Sequence, residues 1–444
     1  MPILACQPWL LWPALWNGYP LLFSDSGTYV SQVVERHLGW DRPPFYALAV
    51  MLVSLRFSLW PVVLAQGLLT GWILHLLRRM LWPEIDAWSL PVLAAVLSLV
   101  TALPWVTAEI MPDFLTALMA AALWLLLVRP GGLRRVESWA LALLIAGAIA
   151  CHQANWPIAT LLGVGLWLIR RLFGGRVAHK RGAVLQLLVG PALGIGALLG
   201  ANLIGHGRLA LSPYGDVFLL ARLLGDGPAR LALRRDCPEA GWQLCRFRTA
   251  LPATADDFLW RADSPLYAAG GPKRLTREAG EIVRRSLKEA PGMVIRAAAN
   301  NAFRQFATFG TATRDELEPW PLTAGRAVAR DLPLDRVTYT AARQTLGMLG
   351  LPAWWRAAEQ AIAVACILGC MLALVAFWRR DRLAAGFCAT VLLALLANAA
   401  LLGALSGPHA RYQSRIVWLP VMAMILTGGR AISRSCGRAM AADE

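Results

Sequence analysis

Long apolar runs broken by short polar or basic stretches dominate this chain. They fall at 3–19, 61–77, 88–105, 114–128, 139–150, 156–169, 183–204, 354–378, 383–405 and 416–427. A bilayer core about 30 Å thick takes roughly 20 apolar residues as a helix, so the pattern predicts an all-α polytopic membrane protein with about ten transmembrane helices. Two stretches depart from it. Residues 24–60 carry two short amphipathic patterns, at 28–38 and 45–57, as expected of helices lying along a membrane surface, the second started by Pro43 and Pro44. Residues 205–353 form a long mixed segment, predicted to be mainly helical and extracytoplasmic. The chain therefore divides into an N-terminal transmembrane module (1–204, including the surface helices), the 205–353 segment, and a C-terminal transmembrane module with a short basic tail (354–444).

Composition sharpens this picture. With 57% hydrophobic residues and a mean hydropathy of +0.51, soluble classes are set aside. The net charge of +16 then speaks of topology and not of nucleic acid. Short loops rich in Lys and Arg stay in the cytoplasm. Arg78 and Arg79, then Arg129, Arg134 and Arg135, then Arg170, Arg171, Arg176, Lys180 and Arg181, then Arg379, Arg380 and Arg382 follow alternate runs, and the tail adds Arg430, Arg434 and Arg438. This places both termini in the cytoplasm and residues 24–60, 106–113, 152–155, 205–353 and 406–415 outside. The first run lacks a basic flank and an A-x-A site, which predicts a retained helix. The compact, Arg/Ala/Leu-rich chain points to a bacterial inner membrane, with the outer face in the periplasm.

Of the eight cysteines, Cys237 and Cys245 alone lie in the long outer segment, with Pro238 and Gly241 between them. An oxidising compartment favours a disulfide there; metal binding is the alternative. Cys366 and Cys370 read as small packing residues.

The conspicuous ionisable residues Asp25, Glu109, Asp113, His152, His409 and Arg411 all fall at the outer ends of the runs. Asp25 and Asp113 each precede a helix and can cap it, or they can serve with Glu109 as general base or as ligands for a divalent cation. His152 suits an interfacial anchor, a phosphate donor or a proton shuttle. The turn from Gly407 to Arg415 holds His409, Arg411 and Tyr412; Arg offers bidentate phosphate recognition, with headgroup snorkelling as the competing role.

Acids in the first outer loop, two surface helices after it, and an Arg-Tyr turn before the last run together resemble the GT-C superfamily of polyprenyl-phosphate-dependent membrane glycosyltransferases. The resemblance implies a periplasmic transfer of sugar from a lipid-phosphate donor to an envelope glycan, lipid or protein acceptor. It implies Asp25 as the acid near the acceptor and Arg411 at the donor phosphate, with the long outer segment closing over the donor. His409, His152 and Arg42 are further candidate phosphate ligands, and Tyr29, Tyr46 and Tyr412 candidate substrate contacts. Asp25 is followed by Ser26 and Gly27 and lacks the acidic neighbour common in those enzymes, so Glu109 or Asp113 has to supply any second carboxylate. No Walker loop or zinc-protease motif is present. A lipid or solute transporter, or a non-catalytic envelope scaffold, are the rival classes; the polar clusters sit at run ends and not at mid-span, where a transporter places them.

Overall fold

The computed structural model describes residues 1–128, 132–172, 181–313 and 317–440; of the basic loop positions named above, Arg129, Arg176 and Lys180 lie outside that set. Helices make up the described chain, with no strand and one isolated bridge between Leu21 and Glu109.

Among the described residues, five helices are long and apolar enough to cross a membrane: Trp60–Leu81, Leu185–His206, Ala353–Phe377, Arg382–Leu405 and Ala410–Cys436. That is fewer than the apolar runs suggested. The run at 88–105 is cut at Thr101, whose extended backbone (φ −143°, ψ 167°) separates a Ser89–Val100 helix from a short Leu103–Ala108 helix. Twelve residues at 1.5 Å each give about 18 Å, short of a bilayer core. The Phe45–Ser54, Phe114–Leu127 and Asn155–Ile169 helices are likewise apolar but short. Residues 114–127 are buried on every side, as a helix that is apolar all round must be. Its neighbours are Trp60–Leu81, Arg135–Cys151, Asn155–Leu172, Arg181–His206 and Arg382–Leu405.

Small residues set the closest helix contacts. Gly190 and Gly194, a G-x-x-x-G pair, let the Arg181–His206 helix press its backbone against Ala142 and Ala146 of Arg135–Cys151; a Cβ on either glycine would stand 2.7 Å from a carbonyl oxygen there. In lipid, where apolar burial gives little drive, such approaches let backbones pack.

The 205–353 segment feeds two cores. Helices Gly215–Asp226, Pro228–Asp236, Ala255–Trp260 and Pro272–Glu289 pack around Val217, Leu220, Phe258, Leu275 and Ile282 as a unit with its own core, whereas Ala324, Val328, Leu332 and Tyr339 join the core of the membrane helices. Cys237 and Cys245 stand in the first of these at disulfide distance, Cα–Cα 5.5 Å. In the first loop, the helices run Ser26–Ser31 and Phe45–Ser54. The second buries Tyr46, Ala47 and Val50 and exposes Leu48, Leu52 and Val53, the pattern of a helix with one face toward lipid. Left-handed Leu55 ends it.

Gly194→Leu should lower the thermal midpoint of the detergent-solubilised protein, because neither the Ala146 carbonyl nor Ile149 can withdraw; overpacking of this kind costs about 1–3 kcal/mol. Gly196, whose Cβ position meets nothing within 4 Å, should accept Leu with little change. Equal midpoints for the two variants would contradict the packing described.

Candidate functional site

Asp25 is fixed by the short helix that follows it. Ser26 Oγ donates to the Ile110 carbonyl at 2.9 Å and accepts from the Phe23 N–H at 2.9 Å. Gly27 lies so close to the chain at Thr323 that a Cβ would sit 2.7 Å from its carbonyl carbon, so only glycine allows this seat. The Asp25 carboxylate makes no capping bond to the helix. Instead Oδ2 accepts from Arg42 Nη2 at 2.5 Å and lies 3.7 Å from Arg411 Nη1. Gln32 returns the loop to this point: its Nε2 donates to the Pro43 carbonyl at 3.1 Å and its Oε1 accepts from the Gly39 N–H at 3.4 Å. Asp41 comes with the loop, and burial raises its carboxyl above the usual range against the pull of Arg42.

The second half of the site is built on Arg415, which is fully buried. Its Nη1 donates to Asp113 Oδ1 at 3.1 Å, and its Nε and Nη2 reach Asn398 Oδ1 at 3.3 and 2.9 Å. His152 Nε2 is 3.4 Å from the same Nη1, while its Nδ1 accepts from the Ala154 N–H. Burial disfavours the Asp113 anion, yet Arg411 and Arg415 outweigh it and hold the carboxyl down to about 2. Burial, then the charge of Arg415, pushes His152 down to about 3, so its ring is neutral near pH 7. Asp113 does not cap the helix after it: Oδ1 is taken by Arg415, and Oδ2 has no hydrogen-bond partner.

One turn before Arg415, Arg411 lays its guanidinium over the Phe23 ring (4.1 Å) and near the Tyr412 ring (5.4 Å). Its buried Nη1 has no hydrogen-bond partner.

These halves meet at a cavity of about 350 Å³. Asp25, Tyr29, Arg42, His152, Arg411 and Tyr412, all foreseen from the sequence, line it. So do Asp41, Trp156, Phe218, Leu401, Leu402 and Leu405, which were not. The cavity thus pairs a charged end with an extended apolar wall. Glu109 and Asp113 border a separate space of about 20 Å³, which shares Arg411 with the larger one. Tyr46 lines neither cavity: its hydroxyl donates to Gln66 Oε1 at 2.5 Å and its ring meets Tyr29 edge-on. His409 faces the 205–353 segment, with Nε2 at 3.3 Å from Asp256 Oδ2. The sequence counts Arg415 with Arg411 as the second arginine of a phosphate-binding turn; the structure instead commits it to partners at 113 and 398, which no local pattern connects.

A divalent cation does not fit here. Among the described residues no group of three or more His, Cys, Asp or Glu side chains is placed to hold a metal ion. The space beside Glu109 and Asp113 is also bordered by Arg411 and Arg415, two guanidinium groups that repel one.

The lowered carboxyl makes Asp113 a source of stability with a defined pH window. An Asp is ordinarily near 3.9 in an unfolded chain, so the stabilisation is fully present above about pH 4 and is lost as pH falls toward 2. Asp113→Asn should lower the thermal midpoint at pH 7, because it leaves Arg415 buried without its counter-charge, a change that costs up to about 3–5 kcal/mol. The gap between variant and parent should close between about pH 4 and pH 2. A gap unchanged down to pH 2 would show that Asp113 does not titrate in this window.

No protein-family model matches the chain, and no curated protein or solved structure gives a match to it.

Proposed function

We propose that the protein is an integral membrane glycosyltransferase of GT-C type that moves a sugar from a polyprenyl-phosphate donor to an acceptor on the periplasmic face of a bacterial inner membrane. About ten helices, the short ones included, then cross or enter the bilayer, with both termini cytoplasmic. The observation that carries this reading is Arg411: a buried guanidinium whose Nη1 makes no hydrogen bond and only a 3.7 Å ion pair with Asp25, bordering a cavity lined by Leu401, Leu402, Leu405 and Trp156 as well as by Asp25. A buried donor without a hydrogen bond is costly, and a phosphate on an apolar tail would satisfy both it and the wall.

In the transfer, an acceptor hydroxyl oxygen attacks the anomeric carbon while the bond from that carbon to the phosphate oxygen breaks. The hydroxyl proton passes to Asp25. Both guanidinium contacts fall on its Oδ2, which leaves Oδ1 to take the proton. The bonding electrons stay on the departing phosphate, and Arg411 stabilises the charge that develops. Arg42 holds Asp25 in place through the 2.5 Å contact, and neutral His152 supplies a hydrogen-bonding group to the same cavity.

Asp25→Asn should lower transfer by about 10²–10⁴-fold while the protein stays folded, since the amide keeps the shape and loses the base. Arg411→Ala should raise KM for the lipid-phosphate donor about 10–100-fold, the worth of a charge-assisted contact, and Lys should restore it only in part. The assay is transfer from a purified polyprenyl-phosphate sugar in liposomes, and full activity of the Asn variant would remove Asp25 from the chemistry. Reporter fusions after Arg79, Arg135, Arg181, Arg382 and the C-terminus should report cytoplasm, and fusions near Asp25, Gly271 and His409 the outside; a cytoplasmic signal at Gly271 would overturn the orientation.

A further inference from the structure

The outer segment brings an aromatic stack to the charged end of the cavity. Trp40 of the first loop lies parallel to Phe218 (ring centroids 5.1 Å apart, 26° between planes), and Trp260 leans on both, at 5.7 Å from Trp40 and 6.2 Å from Phe218. Buried Tyr214 meets the edge of Trp40 at 6.2 Å. Arg42, the same residue that grips Asp25, stands 5.7 Å from the Trp260 ring centroid. Phe218, Asp41 and Arg42 also line the cavity, so the stack is continuous with it.

Trp260 is 45% exposed, and a lone exposed aromatic needs no explanation. This one differs in being held. Its ring leans on the two behind it, and Arg42 stands against it. A flat apolar surface of this size, fixed in advance, gives a ligand contact area at small entropic cost.

We propose that Trp260, backed by Trp40 and Phe218, is a carbohydrate-binding shelf that receives the sugar acceptor; this assigns the acceptor class of the site and rests on the transferase reading above. The chemistry of the shelf selects a saccharide. A pyranose carries an apolar C–H face, which suits the indole, and a rim of hydroxyls, which suits Arg42, Asp41 and Asp25 beside it. An acyl chain would cover the indole and leave those charged groups unmatched. The location on the 214–283 unit, with a core separate from that of the membrane helices, suits a ligand arriving from water.

The experiment is saturation-transfer NMR on the full chain in detergent-free nanodiscs, with soluble tetrasaccharides of glucose, mannose, galactose and N-acetylglucosamine as probes. At least one should bind. Trp260→Ala should weaken that binding about tenfold or more, and Trp260→Phe, which keeps a flat ring, no more than about threefold. Trp88→Ala, an exposed tryptophan remote in sequence from the cavity's lining, should leave it unchanged. Binding to none of the four by the parent protein, or equal binding by Trp260→Ala, overturns the shelf. The two readings fail separately: saccharide binding without transfer from any lipid-phosphate donor keeps the shelf and removes the transferase, whereas transfer by Trp260→Ala with an unaltered acceptor KM removes the shelf and keeps the transferase.

Discussion

The fully buried guanidinium of Arg415 is the constraint on which the site depends. A charge taken out of water must be matched by a counter-charge and by hydrogen bonds to its remaining donors, or the desolvation cost is not recovered. Asp113 supplies the charge and Asn398 accepts from two of its nitrogens. Asn398 in turn donates to the Tyr412 carbonyl and to Gln413 Oε1, so the acceptor that satisfies Arg415 also pins the turn that carries it. Segments far apart in the chain, at 113, 152, 398 and 411–415, are held by one side chain.

That anchoring frees Arg411 for another role. The two arginines are one helical turn apart, and the fold divides their work: Arg415 spends its donors inside the protein, while Arg411 rests on Phe23 and Tyr412 and borders the cavity. Stacking on aromatic faces suits a guanidinium, which is weakly hydrated. Asp113 acts on both, through direct contact with Arg415 and through its charge on Arg411.

The 205–353 segment holds the same turn from its other side. Gln305 exchanges two hydrogen bonds with the backbone of His409, Ser414 Oγ bonds both backbone groups of Gly310, and Arg222 reaches the Ser406 carbonyl while paired with Asp226. Gly403 permits this closeness, since a Cβ there would stand 2.5 Å from the Asn301 carbonyl oxygen. Movement of the 205–353 segment would therefore be felt at Arg411.

Hydropathy alone determined that the chain is helical and apolar enough for a membrane, because twenty-residue apolar runs have few other uses. It also located most of the charged end of the cavity, since Asp25, His152 and Arg411 interrupt those runs where ionisable groups are rare. Periodicity could not show that the 88–105 run breaks at Thr101: a hydropathy window registers composition and not backbone angle, and the extended turn depends on what packs around it. The capping role open to Asp25 was closed only by tertiary structure, because Arg42, seventeen residues on, and Arg411, near the other end of the chain, compete for the carboxylate. Asp41 offered nothing by position and entered the cavity because Gln32 folds its loop back. The aromatic stack of Trp40, Phe218 and Trp260 joins two parts of the chain that no local pattern connects. Local sequence fixes which groups are able to act, while burial and long-range contact decide which are brought together and which are consumed in holding the fold.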